Sequence, residues 1–430
     1  MNRSCRLSLL SVLTVALCAT SLFARDALYL ELSAHGDRLD LGLADFGTQR
    51  AKVEEAQLAR QIRDVAQQDL LFPRIFNIVE GGAAPVKNEV PFESWRELGC
   101  DVLVTGKVNT GWFRSNQFEF TGVLYDVVSM NVILQKKYSA DVTDYRRVAH
   151  EWADEIVGYF LGTKGISRSK IAFVNDSTGK KEVYCIDYDG ANLRRLTSDR
   201  STALFPKLSP DGNSIVFMSY RDGTPKLYLM SSEGGQRRVL CGYDGLNSSA
   251  AFAPDGQSLV ATLSLGRDPN LYLVDLNGKI IRPLTRSFAV DTAPSFAPDG
   301  THVAFTSDRP GYPQVYSMDI NGANLKVMTF GGQCDSPAWS PIGDVIAFTM
   351  SEFGGRYDIY LVDVASGYQK RLTWGEGNNE NPAWSPDGRY IVFTSTRRGR
   401  SELFVMGADG SNPRPLADIP GRSFTPSWGL

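Results

Sequence analysis

Short apolar stretches alternate with polar turns throughout the carboxy-terminal part of the chain. A Ser-Pro-Asp-Gly turn, or a close variant of it, begins at Ser209, Ala253, Ala297, Ser340 and Ser385, at intervals of 43 to 45 residues. Each period contains four short apolar or alternating segments, and Asn-Gly or Asp-Gly signals in several periods mark a hairpin between the last two. Four strands in a repeat of about 40–45 residues are typical of a propeller blade.

The number of blades follows from the two ends of this array. The segment that begins at Lys170 supplies three strands without the Pro-x-aromatic strand that precedes the later copies, whereas Pro426–Trp428 is such a strand without a blade. Joining the two closes the ring and removes the exposed strand edges of an open array. We therefore predict an all-β six-bladed propeller over residues 166–430, closed by the carboxy-terminal strand.

The preceding residues 25–165 have no repeat and mix two periodicities. Apolar residues at helical spacing and short alternating runs predict a small α+β domain, a mixed α/β arrangement of modest size. Helices are expected at residues 49–68, 92–98 and 145–160, and strands at residues 28–32, 102–106, 117–126 and 132–138.

The first 24 residues have the layout of an export signal. Arg3 and Arg6 precede an apolar run over residues 7–17, and small residues follow, so that cleavage after Ser21 and cleavage after Ala24 both fit. The run is too short for a membrane-spanning helix. The mature protein is therefore expected to be exported and soluble.

Composition narrows the possible functions further. The formal net charge is −3, which argues against a dedicated nucleic-acid binder. Four cysteines remain after the signal, namely Cys100, Cys185, Cys241 and Cys334, and their spacing does not suit zinc. Two disulfides are allowed by number, but buried thiols are the expectation, because most of the four lie in apolar or repeat positions.

Catalytic motifs are missing from the sequence. It contains no Gly-x-Ser-x-Gly elbow, no His-Glu-x-x-His and no phosphate-binding loop, and its three histidines lie in separate segments. The repeated Asp-x-Asn-Gly runs lack the further oxygen ligands of a calcium loop and are interpreted as turns. We therefore expect no enzyme, with no catalytic residue, no metal and no cofactor.

Several motifs together resemble the TolB family. These are Trp95–Gly106, of the pattern W-x-x-L-G-x-D-x-x-V-x-G, the blade segment Thr306–Tyr316 with Asn321-Gly322, and the linker Leu161–Phe173. The order of signal, small domain and six blades is also that of the family. The resemblance covers nearly the whole mature chain.

The resemblance implies a non-enzymatic periplasmic adaptor of the Tol–Pal envelope-integrity system, with a role in outer-membrane invagination during cell division. Members of the family bind the peptidoglycan-associated lipoprotein, Pal, at the mouth of the propeller channel. Their mature amino terminus either folds against the body or contacts the inner-membrane protein TolA. In this chain that arm would include Arg25, Asp26, Leu28 and Tyr29.

Propeller geometry gives a candidate site beside this resemblance. The residues that enter the innermost strand of each blade surround one channel mouth. They are small, polar and mildly acidic, which suits a docked protein held by hydrogen bonds. The candidate protein-binding residues are Leu204, Phe205, Asn247, Ser249, Asp291, Thr292, Asp335, Ser336, Asn379, Glu380 and Thr425.

Two alternatives remain open. An exported propeller could bind another envelope protein or a glycan, which a pull-down that recovers no Pal-like lipoprotein would favour. Less favoured is a metal-dependent propeller hydrolase, which stoichiometric metal together with turnover would support.

Overall fold

The computed structural model describes residues 38–49, 52–83, 85, 89–110, 116–352 and 355–430. It divides the chain into a first unit that ends at Ser167 and a second unit, Arg168–Leu430. The signal peptide, the strand expected at residues 28–32 and the arm residues Arg25, Asp26, Leu28 and Tyr29 all lie outside the described residues.

The first unit is built on one mixed sheet. Its strands are β1 (Leu39–Leu43), β2 (Gly47–Thr48), β3 (Phe76–Val79), β4 (Val102–Asn109), β5 (Gln117–Asp126) and β6 (Val132–Asp141). Their order is β3-β1-β4-β5-β6, with β2 paired to β4. Strand β1 runs parallel to β3 and β4, whereas β4, β5 and β6 form an antiparallel meander.

The described residues of this unit form three α-helices, α1 (Val53–Leu71), α2 (Phe92–Glu97) and α3 (Tyr145–Leu161). Helices α1 and α3 pack together on the sheet, and Ile62, Trp152 and Phe120 are fully buried in their shared core. Helix α2 contributes Trp95 to a separate cluster that contains Cys100. Helix α1 begins at Val53 instead of near residue 49, and all three helices are present where apolar periodicity predicted them.

The second unit consists of six four-stranded antiparallel sheets. The first blade combines β7 (Lys170–Asn175), β8 (Glu182–Asp187) and β9 (Arg194–Arg195) with the last strand, β30 (Ser423–Gly429). The other five blades are consecutive meanders of four strands each. The second blade contains β10 (Ala203–Leu208), β11 (Ser214–Ser219), β12 (Lys226–Ser231) and β13 (Arg237–Cys241), and the third contains β14 (Asn247–Phe252), β15 (Ser258–Leu263), β16 (Asn270–Asp275) and β17 (Ile280–Pro283). The fourth contains β18 (Asp291–Phe296), β19 (His302–Ser307), β20 (Gln314–Asp319) and β21 (Lys326–Val327), the fifth contains β22 (Gln333–Trp339), β23 (Val345–Ser351), β24 (Tyr357–Asp363) and β25 (Gln369–Arg371), and the sixth contains β26 (Asn379–Trp384), β27 (Tyr390–Ser395), β28 (Glu402–Gly407) and β29 (Arg414–Pro415).

The ring is closed, which confirms the predicted six-bladed fold. The inner strands β10, β14, β18, β22, β26 and β30 contact one another in that cyclic order, and β30 also contacts β10. Strand β30 pairs with β7, with Ser427 opposite Ala172. At the end of the chain, the Leu430 carbonyl lies where a Cβ on Gly212 would stand, so this turn accepts only glycine.

Buried aromatic pairs recur inside the blades. The second strand of five blades carries a buried phenylalanine that faces a Tyr or Phe of the third strand, with ring centroids 5.8 to 6.1 Å apart. The pairs are Phe173–Tyr184, Phe217–Tyr228, Phe305–Tyr316, Phe348–Tyr360 and Phe393–Phe404. Such pairs contribute about 0.5–1.5 kcal/mol each beyond their buried area. The repeated sequence therefore forms a repeated core, and function has to be sought where the blades differ.

Candidate functional site

The six inner strands are equivalent over six positions, which we number from the channel end at which each strand begins. Position one is Ala203, Asn247, Asp291, Cys334, Asn379 or Ser423, and position six is Leu208, Phe252, Phe296, Trp339, Trp384 or Trp428. In five inner strands the pairing with the second strand shifts register between positions two and five. In β14 the shift lies between Asn247 and Ala250, at positions one and four. Each of the six inner strands therefore has a β-bulge at this end of the channel.

The bulges surround a cavity of about 200 Å³, here called the mouth cavity. Its walls come from all six inner strands, so it lies on the axis of the ring. The lining residues are Phe205, Pro206, Lys207, Ser248, Ser249, Thr292, Ala293, Pro294, Asp335, Ser336, Pro337, Asn381, Pro382, Thr425 and Pro426.

Backbone strain is concentrated at this mouth. Position three has a positive φ of 45 to 56° in five blades, and none of the five residues is glycine; they are Phe205, Ala293, Ser336, Asn381 and Thr425. Proline follows each of them. In the remaining blade Ala250 stands in place of proline, and Ser249 before it is not among the residues with positive φ. Left-handed backbone at non-glycine residues is costly and clusters at functional sites.

Position one supplies structural side chains and not mouth surface. Asn247, Asp291 and Asn379 are fully buried. Asp291 accepts hydrogen bonds from Arg309 Nη2 at 2.7 Å and from Ser287 Oγ at 3.0 Å. Asn379 Nδ2 donates to Asp358 Oδ1 at 3.0 Å. These three residues were expected at the mouth, and the structure places them inside the blades instead.

Positions two and three carry the accessible chemistry. Of the predicted residues, the structure brings Phe205, Ser249, Thr292, Asp335, Ser336 and Thr425 together in the cavity wall. Leu204 and Glu380 are half-buried at position two, next to the wall residues Phe205 and Asn381. These residues belong to the inner strands themselves and not to the loops before them. The bulges turn them towards the channel.

The mouth carries two acidic groups. Asp335 is exposed, and its Oδ1 accepts hydrogen bonds from Thr306 Oγ1 at 2.8 Å and from the Ser336 amide at 2.6 Å. Burial, and then the charge of Asp335, raise the pKa of the Glu380 carboxyl. The two carboxylates therefore interact through their charges and supply acidic groups at the rim of the mouth.

A second cavity, of about 420 Å³, lies at the other end of the same channel. Positions five and six line it together with the prolines of the Ser-Pro-Asp-Gly turns. Five of the six large side chains at position six are almost completely buried, and Phe296 is half-buried. Trp384 Nε1 donates to the Ala338 carbonyl of the preceding blade at 2.9 Å. The tryptophans therefore pack between blades, as the sequence predicted.

Lys207, at position five, lines both cavities and was missed by sequence reasoning. The signal that could have identified it is the repeat itself. The five equivalent residues are alanine or serine, namely Ala251, Ser295, Ala338, Ala383 and Ser427.

Other reactive groups have structural surroundings. The four cysteines are free and buried, and burial raises the pKa of their thiols to about 11 or 12. His150 Nδ1 lies 2.7 Å from Asp69 Oδ2 inside the first unit. Within the part of the chain that the structure describes, no group of three or more His, Cys, Asp or Glu residues could hold a metal ion.

No helix among the described residues combines the length and the apolar character needed to cross a bilayer.

Comparison with family profiles covers most of the chain. The profile of the TolB amino-terminal domain matches residues 33–133, and that of the TolB beta propeller domain matches residues 159–336 and 326–429.

Individual relatives agree with the profiles. The chain is 34% identical to the Tol-Pal system protein TolB of Geobacter sulfurreducens over 217 residues, 48% of either chain. It is 33% identical to the protein TolB homolog of Chlorobium luteolum over 236 residues, 51% of this chain and 52% of the relative. The matched region thus spans about half the length of these curated relatives. The crystal structure of TolB from Acinetobacter baumannii superposes with a TM-score of 0.77 at 26% identity, covering 91% of this chain and 97% of that one.

Proposed function

This chain belongs to the TolB family, and from that premise we propose that it is a non-enzymatic adaptor of the Tol–Pal system. Its family makes it a protein of the cell envelope, and the signal-like amino terminus supports the periplasm as its compartment. We propose that it binds the peptidoglycan-associated lipoprotein Pal at the mouth cavity and thereby acts in envelope integrity and in outer-membrane invagination during division.

This proposal rests on one observation at the mouth end of the channel: strained backbone coincides there with side chains that differ from blade to blade. Five of the six blades hold a non-glycine residue in left-handed backbone there. The same positions differ between blades, from Phe205 to Asn381, whereas the packing positions repeat. A scaffold gains nothing from such differences, but a binding surface needs them, because a protein partner has no sixfold symmetry.

Exposed aromatic side chains on the same face support a protein as the ligand. The connections from the fourth strand of a blade to the next inner strand end at the mouth. Three consecutive connections carry Phe288, Phe330 and Trp374, which are 95%, 64% and 58% exposed. Large aromatic residues are enriched in protein interfaces and dominate their binding energy. We propose that they form the apolar side of the Pal footprint.

A contact with TolA through the amino-terminal arm, at Arg25, Asp26, Leu28 and Tyr29, stays a prediction, because the arm lies outside the described residues. Deleting residues 25–33 from the mature protein tests it. TolA binding should be lost while Pal affinity changes less than about threefold.

Titration calorimetry with the soluble domain of the Pal lipoprotein from the same cells tests the mouth assignment. The double substitution Asp335→Ala and Glu380→Ala removes both acidic groups and should weaken binding at least about tenfold. Asp344→Ala is the matched control, because Asp344 is an exposed acid in a turn at the opposite end of the channel. Equal affinities of the two variants and the wild type would refute the mouth as the binding site.

A further inference from the structure

Lys207 breaks the pattern of the inner strands. Position five is alanine or serine in five blades, where it faces a narrow channel, and lysine only in the blade of β10. Lys207 and Pro294 are the two residues that line both the mouth cavity and the second cavity. The lysine side chain therefore lies where the two cavities meet, at the floor of the mouth.

The ammonium group of Lys207 has no anionic partner among the described residues. None of the ion pairs of the described chain involves it, and burial lowers its pKa without any counteracting carboxylate. A cation held within a protein without a counter-charge is costly. This arrangement disfavours the empty site and favours any ligand that brings a negative charge to the floor.

The space that Lys207 faces has the size of a side chain. The mouth cavity, at about 200 Å³, has room for about six water molecules at roughly 30 Å³ each, or for one long side chain. An ammonium group without a counter-charge thus lies beside a space that one side chain could fill.

The acidic side chains at the rim affect which anions can enter the mouth cavity. Asp335 and Glu380 place two acidic groups at the entrance, and these disfavour a small free anion that has to pass them. An acidic side chain of a docked protein can lie inside the cavity, past the rim carboxylates, because contacts elsewhere in the interface hold the protein in place. Amide or hydroxyl donors behind it can then donate to the rim carboxylates.

We propose that an aspartate or glutamate side chain of the docked partner enters the mouth cavity and pairs with Lys207. This inference rests on the proposed function, since it names the group by which Pal is recognised.

The test is calorimetric titration of the soluble Pal domain into Lys207→Met, Lys207→Arg and wild-type protein. Loss of one partner of a buried charge pair should weaken binding at least about 30-fold in Lys207→Met. Lys207→Arg keeps the charge and should recover most of the affinity. Lys180→Met is the control, because Lys180 is an exposed lysine at the same end of the propeller. It should change the affinity less than about threefold.

Melting temperatures separate binding from folding. Lys207→Met removes an unpaired charge, so it should melt no lower than the wild type. Tight binding by both wild type and Lys207→Met would overturn the inference and leave the proposed function standing. Absence of any Pal binding to the wild type would overturn both. Saturable binding of sodium acetate that Lys207→Met abolishes, with Pal affinity unchanged, would assign the site to a free carboxylate and overturn the partner side chain.

Discussion

The two halves of each inner strand obey different rules. Positions four to six read proline, small residue, large apolar residue in most blades, and they pack one blade on the next. Positions two and three differ from blade to blade and carry strained backbone, two carboxylates and several hydroxyls. Six strands with one fold thus separate a repeated packing surface from a varied surface, which we propose as the binding site, within six residues. The repeated positions pack the blades into a closed ring, and the varied positions form the surface that we propose contacts a partner.

Removal of residues 423–430 should have the largest effect, and it tests how far packing of the inner strands stabilises the ring. Without β30 the first blade loses its inner strand, β7 gains an exposed edge, and Trp428 is lost from the interface between blades. We expect the melting temperature of the propeller to fall by more than about 10 °C, as followed by circular dichroism. Unchanged melting would show that ring closure contributes little to stability.

The difference between position one, inside the blade, and position two, at the mouth, is tested by an aspartate at each. Asp291→Asn removes the carboxylate that pairs with Arg309, in a site where the aspartate is fully buried. It should destabilise the protein by about 3 kcal/mol in urea unfolding. Asp335→Asn, at the exposed position two, should cost less than about 0.5 kcal/mol. Similar losses for both variants would erase the distinction between positions one and two.

The smallest effect concerns the acidity of the rim. Because burial and the Asp335 charge raise the pKa of Glu380, the folded state disfavours its ionised form. Relative to Glu380→Gln, the wild type should therefore lose stability as pH rises from below about 4.3, the ordinary value, through the raised folded pKa. Urea midpoints of both proteins at pH 4 and pH 7 measure this. A wild-type midpoint that does not fall relative to that of Glu380→Gln between pH 4 and pH 7 would contradict the account.

The ring and its closure could be predicted from the sequence because each blade repeats the same turn and strand pattern. The separate copy at Pro426–Trp428 even identified the closing strand. Helix α1 was placed about four residues too early, since its start lacks a side-chain cap that would mark it.

The mouth was predicted only in part, for two physical reasons. Successive residues of a strand face opposite sides, and the bulge adds an irregular step, so the sequence alone did not separate buried Asp291 from accessible Thr292. Lys207 follows the proline, at a position where the other five blades carry alanine or serine, so only a comparison of all six repeats distinguishes it.

A steric block tests the central claim most directly. Thr292→Trp would fill the mouth cavity from position two, and Ile342→Trp would enlarge a side chain that is 65% exposed in a turn at the opposite end of the channel. We predict that Thr292→Trp lowers the affinity for Pal at least about 100-fold in calorimetric titration, while Ile342→Trp changes it less than about threefold. Pal binding to Thr292→Trp at wild-type affinity would contradict the account.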